Sequence, residues 1–195
     1  MMRRMFLFAV LVLALAVAAH ADVWNVDPNH SSMGFTVKHM VITKVNGEFK
    51  DYTGKIEFDG KDVSSGKAEF VIQAKSITTG NDKRDGHLRS PDFFAVDSFP
   101  TLTFKSKKVE KVDSTHFKLI GDLTMRGVTK EVTFDCTFNG VVQAFGDTRA
   151  SFSAATTVNR QDYGVNWSKT LDNGGLIAGN DVDIHLEIEA VKAKT

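Results

Sequence analysis

The sequence is poor in cysteine, and neither sign of charge is in excess. Cys136 is the only cysteine in 195 residues, so no disulfide can form within the chain and the fold must rest on packing. Lysine plus arginine and aspartate plus glutamate both number 24, which excludes the strongly basic surface expected of a nucleic-acid-binding protein. Cys136 alternates with Phe134 and Phe138, so we interpret it as a buried apolar side chain and not as a reactive thiol.

Recognisable catalytic and metal-binding motifs are also absent. The sequence contains no G-x-S-x-G, P-loop or G-x-G-x-x-G pattern, and no histidine pair has H-x-x-x-H spacing. The nearest polar constellation is Asp27, His30 and Ser31. Residues this close in sequence, at a turn that enters a strand, more often form local hydrogen bonds than a catalytic triad. We therefore expect no catalytic residue, no metal and no cofactor.

The one long apolar run lies at the N-terminus. It covers residues 5–19, follows Arg3 and Arg4, and ends at the small-x-small sequence Ala19-His20-Ala21. A membrane-spanning helix needs roughly 20 apolar residues, and this run is shorter. We interpret residues 1–21 as a cleaved signal peptide and residues 22–195 as a single exported domain. The paired arginines leave both the general secretory and the twin-arginine routes open.

Beyond the signal peptide the dominant hydrophobic period is two, which is typical of strands with one apolar face. In the last segment, for example, Val182, Ile184, Leu186 and Ile188 alternate with charged or polar residues. About eight such segments occur, at residues 33–37, 54–59, 68–72, 101–109, 117–123, 129–139, 149–158 and 182–189. This pattern predicts a mainly β fold, either a sandwich or an antiparallel barrel, and closure into a barrel removes exposed edges.

Two segments lack this alternation. Residues 79–96 predict one or two short helices, with Ser90 as an N-terminal cap and Pro91 in the first turn. Residues 160–180 are rich in glycine and asparagine and predict a long loop, and long loops in compact domains usually serve function.

The aromatic residues are unusually apolar, with 15 phenylalanines against two tyrosines and two tryptophans. Many of the phenylalanines fall on the predicted inner faces of strands. They either fill the barrel interior completely or line a cavity. Small residues on the same strands, namely Gly34, Ala68, Gly121 and Ala154, would leave room between the rings and favour a cavity. Burial contributes roughly 0.8 kcal/mol per methylene, so an apolar tail could be held without a charged anchor.

Several stretches resemble the YceI-like polyisoprenoid-binding family, in the family's order and across nearly all of residues 22–195. They are residues 27–31 (DPNHS), 35–40 (FTVKHM), 45–49 (VNGEF), 76–79 (SITT), 84–90 (RDGHLRS), 92–94 (DFF), 121–130 (GDLTMRGVTK) and 159–164 (NRQDYG). Two positions depart from the family pattern. Ala95 stands where an acidic residue is more common, and Tyr163 where phenylalanine is more common.

The resemblance implies a lipocalin-like antiparallel β-barrel of about eight strands with one or two short helices. It also implies a periplasmic protein, often a homodimer, that holds a long isoprenoid lipid of the quinone or polyprenyl type as carrier, scavenger or store, and exchanges it with a membrane donor or acceptor. The residues expected to line the apolar tunnel are Phe35, Val37, Phe70, Ile72, Phe93, Phe94, Phe104, Phe117, Leu119, Leu123, Phe134, Phe138, Phe152, Tyr163 and Trp167.

Five polar residues of the same stretches have two possible roles, namely His30, Arg84, Asp85, Arg160 and Asp162. They either orient a ligand headgroup or fix the loops to the barrel. We favour the second role because buried arginine and carboxylate groups must be paired. Two other functions stay open at this stage: an enzyme acting on an isoprenoid lipid, and a packed barrel that works through its surface as a stress or interaction protein.

Overall fold

The computed structural model describes residues 21–170, 172 and 174–194, so the predicted signal peptide lies outside the described residues apart from Ala21. One α-helix, α1, covers Asp82–Arg89, and short 3₁₀ turns cover Val63–Ser65, Ala74–Ser76 and Arg160–Tyr163. The strands are β1 (Asp22–Val26), β2 (Ser32–His39), β3 (Thr43–Phe49), β4 (Tyr52–Phe58), β5 (Lys67–Gln73), β6 (Ile77–Thr78), β7 (Thr101–Lys111), β8 (His116–Met125), β9 (Val128–Ala144), β10 (Asp147–Asn159) and β11 (Ala178–Lys192). In these ranges no helix has the length and hydropathy needed to cross a bilayer.

The strands form one antiparallel sheet that closes on itself. The pairing order is β1-β4-β5-β7-β8-β9-β10-β11-β2-β3-β6, and β1 also pairs with β11. Three barrel strands are interrupted: β1 continues into β2, β3 into β4, and β5 into β6. Counted in this way the barrel has eight strands, which confirms the predicted lipocalin-like antiparallel barrel. Closure leaves few open edges, because each strand finds partners on both sides.

The three interruptions lie side by side at one height of the barrel, and we call this line the belt. It consists of residues 27–31, 50–51 and 74–76. The Tyr52 hydroxyl donates to the carbonyl of Ser31 at 2.7 Å, and the amides of Lys50 and Gln73 donate to the carbonyls of Ser76 and Asp51 at 3.3 and 2.9 Å. In the belt, single hydrogen bonds between neighbouring interruptions therefore take the place of regular strand pairing.

Helix α1 begins and ends with side-chain caps. The Asn81 carboxamide accepts from the amide of Arg84 at 3.0 Å, which satisfies one of the free N–H groups of the first turn. Ser90, predicted to cap a second helix, instead ends α1: its amide donates to the carbonyl of His87 at 3.1 Å, and residues 91–94 form turns. That part of the prediction was wrong because serine also caps through its hydroxyl at a C-terminus, where it donates to the same carbonyl.

Three glycines on the barrel wall lie under phenylalanine rings. A Cβ atom on Gly47 would stand 2.3 Å from Cζ of Phe35, and Gly54 is covered in the same way by Phe70. Gly121 is covered by Phe104. Among the small residues expected to leave room between the rings, Gly121 is therefore covered by the ring of Phe104, whereas Ala68 and Ala154 border open space inside the barrel.

Gly34 borders the barrel interior with its backbone, but a side chain at this position would lie on the outer face. A Cβ atom there would meet the imidazole of His185 at 2.3 Å, and His185 is exposed. Gly34 therefore points outwards under His185, since Met33 and Phe35 on either side of it point inwards.

Candidate ligand-binding cavity

The barrel encloses an apolar cavity of about 360 Å³. This volume lies within the range of about 300–1,000 Å³ that is usual for ligand pockets. All eight barrel strands contribute to the wall, which runs along β8 from Phe117 to Met125. The choice left open by the sequence, between a filled interior and a cavity, is thereby decided in favour of a cavity.

Thirteen of the fifteen predicted apolar residues line this cavity. They are Phe35, Val37, Phe70, Ile72, Phe93, Phe94, Phe104, Phe117, Leu119, Leu123, Phe134, Phe152 and Trp167. The sequence reasoning left out Met33, Phe49, Ile56, Phe58, Leu102, Met125 and Val158, and the β11 residues Val182, Ile184, Leu186 and Ile188. The alternation of β11 was an available signal, since it placed the same four residues on the inner face.

Phe138 and Tyr163 do not belong to the cavity wall. Phe138 is the next inward-facing residue after Cys136 on β9, and at its height the barrel interior is filled by Phe58 and Phe152. The ring centroid of Phe138 lies 5.7 Å from that of Phe58 and 5.3 Å from that of Phe152. Tyr163 is only 2% exposed and ends the turn Arg160–Tyr163 beneath the loop. Burial raises the pKa of Tyr163 to about 12.

One end of the cavity is closed by a cluster of aromatic rings that we call the floor. Its members are Trp24, Phe58, Phe138 and Phe152. Trp24 and Phe58 have centroids 4.9 Å apart, and Phe58 and Phe152 meet edge to face at 5.4 Å. The Trp24 indole N–H donates to the carbonyl of Phe58 at 3.2 Å, so its polar atom is satisfied. The floor is therefore a packed aromatic cluster whose indole N–H is hydrogen-bonded.

At the opposite end, which we call the mouth, α1 and the loop after β10 cover the cavity. The His87 ring meets Phe93 and Trp167 edge to face, at 5.0 and 5.3 Å. The ring centroids of Phe93 and Trp167 lie 5.3 Å apart, and those of Phe94 and Phe49 lie 5.7 Å apart. These rings form a cover made of side chains from several elements, and not a continuous strand wall.

The polar residues that line the cavity lie mainly near this mouth. They are Lys38, His39, Thr79, Arg84, His87 and Arg160, while Lys67 lies near the floor. Within the described residues no aspartate or glutamate lines the cavity. Cys136 does line it, but desolvation raises the pKa of this thiol to about 12, so it stays protonated.

Asp85 fixes the position of α1. It is 3% exposed and accepts hydrogen bonds from the hydroxyl of Thr78 at 2.9 Å and from the amide and hydroxyl of Thr79 at 2.9 and 2.5 Å. Desolvation acts to raise the pKa of Asp85, but the hydrogen bonds from Thr79 and Thr78 outweigh it and lower the pKa below 3.8. Arg84, which is exposed, donates to Thr79 as well, at 2.6 and 3.0 Å.

Arg160 fixes the loop after β10 in the same manner. It is 4% exposed, and its guanidinium donates to the carbonyls of Val165, Gly179 and Ala178 at 2.6, 2.8 and 3.2 Å. A fourth bond of 3.3 Å reaches the side-chain oxygen of Asn180. Burial lowers the pKa of Arg160. The structure thus gives both buried groups a pinning position, although their partners are threonines and carbonyls and not each other.

Arg126 is a pinning residue that the sequence reasoning did not single out. Its guanidinium donates to the carbonyls of Phe93 and Gly164 at 2.6 and 2.8 Å, and to that of Pro91 at 3.0 Å. It therefore ties the segment after α1 to the loop after β10. The signal was present, since Arg126 belongs to the stretch 121–130 that carried the family resemblance.

Asp162 and His30 lie away from the cavity. Asp162 is exposed in a shallow polar groove beside Lys130. His30 contacts Asp27 at 2.8 Å, and Arg149 contacts both Asp27, at 3.1 Å, and Glu189.

The three possible metal ligands Asp27, His30 and Glu189 have atoms within 4.8 Å of one another. Both carboxylates already pair with the Arg149 guanidinium. Ser31 hydrogen-bonds the backbone of Glu189 and not His30. The cluster is thus a structural network at the belt.

A closed antiparallel barrel with one apolar interior cavity defines a barrel of the ligand-binding lipocalin-like class. The family description "YceI-like domain" matches residues 24–190, and the chain belongs to this family. A UPF0312 protein of Staphylococcus aureus is 41% identical over 165 residues, which cover 84% of this chain and 94% of that protein.

Two solved structures extend the comparison. The Campylobacter jejuni YCEI protein is 33% identical, with a TM-score of 0.69 over 80% of this chain and 90% of that one. A polyisoprenoid binding domain from Saccharophagus degradans is 15% identical, with a TM-score of 0.66 over 87% of this chain and 98% of that one, and shares the fold.

Proposed function

We propose that this protein binds a long isoprenoid lipid, of the quinone or polyprenyl type, in its barrel cavity and acts as a periplasmic carrier, scavenger or store. The observation that carries the proposal is the enclosed apolar cavity with its aromatic floor and its polar mouth. The thirteen predicted residues on its wall are the proposed lipid contacts.

The shape of the cavity favours a linear ligand. Its wall extends along β8 from Phe117 to Met125, which at about 3.3 Å per residue is roughly 26 Å of strand. A chain lying along this wall buries many methylene or methyl groups. Ten such groups contribute about 8 kcal/mol of gross burial energy, from which the costs of association and ordering are still to be subtracted, so tight binding requires a chain long enough to bury considerably more than ten.

The distribution of polar groups favours binding over catalysis. Arg84 at the mouth suits a polar or anionic headgroup. Apart from lysine and arginine, the titratable side chains along the cavity are a protonated thiol and the mouth histidines His39 and His87, of which His87 already contacts Asp92 at 2.8 Å, and no carboxylate among the described residues lines the cavity. An acid–base mechanism on the lipid would need a positioned titratable group at the reacting atoms. We therefore favour a carrier, and the fold shared with a polyisoprenoid binding domain supports the ligand class.

The proposal is tested by mass spectrometry of an organic extract of the protein, purified without detergent from the periplasm of its native host. We expect a prenyl lipid near one per chain. The matched variants are Phe134→Arg, which places a charge on the inner wall, and Phe145→Arg, which places it at an exposed position. Ala154→Phe adds bulk to the wall without a charge, in case Phe134→Arg fails to fold.

Folded Phe134→Arg or Ala154→Phe protein is expected to lose most of the lipid, and Phe145→Arg protein to keep it. Circular dichroism establishes that each variant is folded. If the wild-type protein is free of lipid and takes up no added prenyl quinone, the carrier proposal is refuted and the surface-acting barrel takes its place.

A further inference from the structure

The hairpin between β2 and β3 presents apolar side chains to solvent beside the mouth. We call residues 40–42 the hairpin tip; Met40 is 39%, Val41 64% and Ile42 84% exposed. The strand residues on either side of it, Val37 and Val45, line the cavity. The tip therefore lies where a ligand would pass between the cavity and its surroundings.

The backbone of the hairpin tip is of a kind that disfavours these residues. Met40 and Val41 have φ angles of 52° and 67°, and the amide of Ile42 donates to the carbonyl of His39 at 3.2 Å. Positive φ at both central residues is the requirement of a type I′ turn, which normally contains Asn-Gly. A left-handed β-branched residue is an outlier. Methionine and valine are thus present despite their conformational cost, which directs attention to a function of their side chains.

Two lysines flank the hairpin tip. Lys38 and Lys44 face each other across the two strands, and both are exposed. In the part of the chain that the structure describes, neither lysine forms an ion pair with a carboxylate. An exposed apolar tip between two unpaired lysines matches the surface of a bilayer, whose anionic headgroups attract lysine and whose acyl boundary receives apolar side chains.

We propose that the hairpin tip docks on a membrane that contains anionic lipid, with Met40, Val41 and Ile42 in the headgroup–acyl boundary and the mouth facing the bilayer. The docking surface deepens the proposed function, because it gives the isoprenoid a path between membrane and cavity that avoids water. It also predicts which face of the barrel meets the membrane.

The opposite end of the barrel provides a matched control. In the β9–β10 hairpin, Phe145 is 98% exposed with a φ of 53° and is followed by Gly146 with a φ of 83°. This turn also has two consecutive residues with positive φ and an exposed apolar side chain, but it lies at the floor end of the barrel. Phe145→Asn and the double variant Met40→Asn/Val41→Gly both install Asn-Gly, so both are expected to fold at least as well as the wild type.

The experiment is co-flotation of the purified protein with vesicles of phosphatidylglycerol and phosphatidylcholine. We expect wild-type protein to float with the vesicles and Phe145→Asn to float equally well. Met40→Asn/Val41→Gly should bind the vesicles at least roughly tenfold more weakly than wild type. Lys44→Gln should bind them about fivefold more weakly. Thermal melts establish that the variants are folded.

Three outcomes overturn the docking proposal: wild-type protein that does not float, Met40→Asn/Val41→Gly protein that floats as well as wild type, and loss of binding in Phe145→Asn alone. Equilibrium binding of a fluorescent prenyl quinone in vesicle-free buffer is measured in parallel. We expect the same affinity for wild type and Met40→Asn/Val41→Gly, because the substituted residues lie outside the cavity wall. Absence of quinone binding by every variant refutes the carrier proposal and leaves the flotation result standing by itself.

Discussion

Replacing Gly47 by alanine tests whether the ring of Phe35 covers this glycine on the barrel wall. The new Cβ atom would stand 2.3 Å from Cζ of Phe35, so the ring has to move by about 1.2 Å or more to restore van der Waals contact. Overpacking of this kind costs roughly 1–3 kcal/mol, while removing a glycine from a strand regains about 0.5–1 kcal/mol. In a Phe35→Ala background the overpacking disappears, and the same substitution is expected to be stabilising.

The assay is a double-mutant cycle by urea unfolding, followed by the fluorescence of Trp24 and Trp167. We expect a coupling energy of about 1–3 kcal/mol between the two sites. Gly86→Ala serves as the control, because its new Cβ meets nothing within 4 Å, and it should be additive with Phe35→Ala. If Gly47→Ala and Phe35→Ala also add to within about 0.5 kcal/mol, the ring does not lie over the glycine and the reasoning fails.

Three further predictions concern the pinning residues and the thiol. Arg160→Met leaves the carbonyls of Val165, Gly179 and Ala178 without the guanidinium that donates to them. Amide hydrogen exchange in residues 164–180 should therefore accelerate, and bound lipid should dissociate faster. Unchanged hydrogen exchange would contradict the pinning role. The pKa of Asp85 is lowered in the fold, so the ionised carboxylate stabilises the protein above the ordinary pKa of about 4, and this contribution is lost as the pH falls through the lowered pKa. Asp85→Asn should therefore be less stable than wild type at neutral pH, and its free energy of unfolding, measured by chemical denaturation, should fall less steeply towards acid pH. Parallel curves of unfolding free energy against pH for the two proteins would refute this. Cys136 should resist a disulfide-exchange reagent at mildly alkaline pH until the protein unfolds, and rapid labelling of folded protein would show that the thiol is accessible.

The closed barrel and most of its inner face could be predicted from the sequence because alternation with a period of two directly reports which face of a strand is apolar. The three interruptions could not. β1 has five residues and β6 has two, which is too short for a period to be visible, and their partners are distant in sequence. Only the pairing of β1 with both β4 and β11 makes it part of the barrel.

The errors about the site have a similar origin. Periodicity assigned Phe138 to the inner face but carries no information about its height along the barrel, where the floor already begins. The pinning roles of Arg160 and Asp85 followed from the cost of burying charge. Which groups these two residues contact could not be predicted from the sequence. Arg160, for example, donates to backbone carbonyls, which every residue has, so the identity of the residue gives no signal.

The belt gives the barrel a compliant side and a stiff side. β7 to β11 run unbroken from one rim to the other, whereas the three strands opposite are jointed at residues 27–31, 50–51 and 74–76. Regular ladder hydrogen bonds are missing at these joints, so we expect local opening of the barrel to begin there and to reach the unbroken strands last.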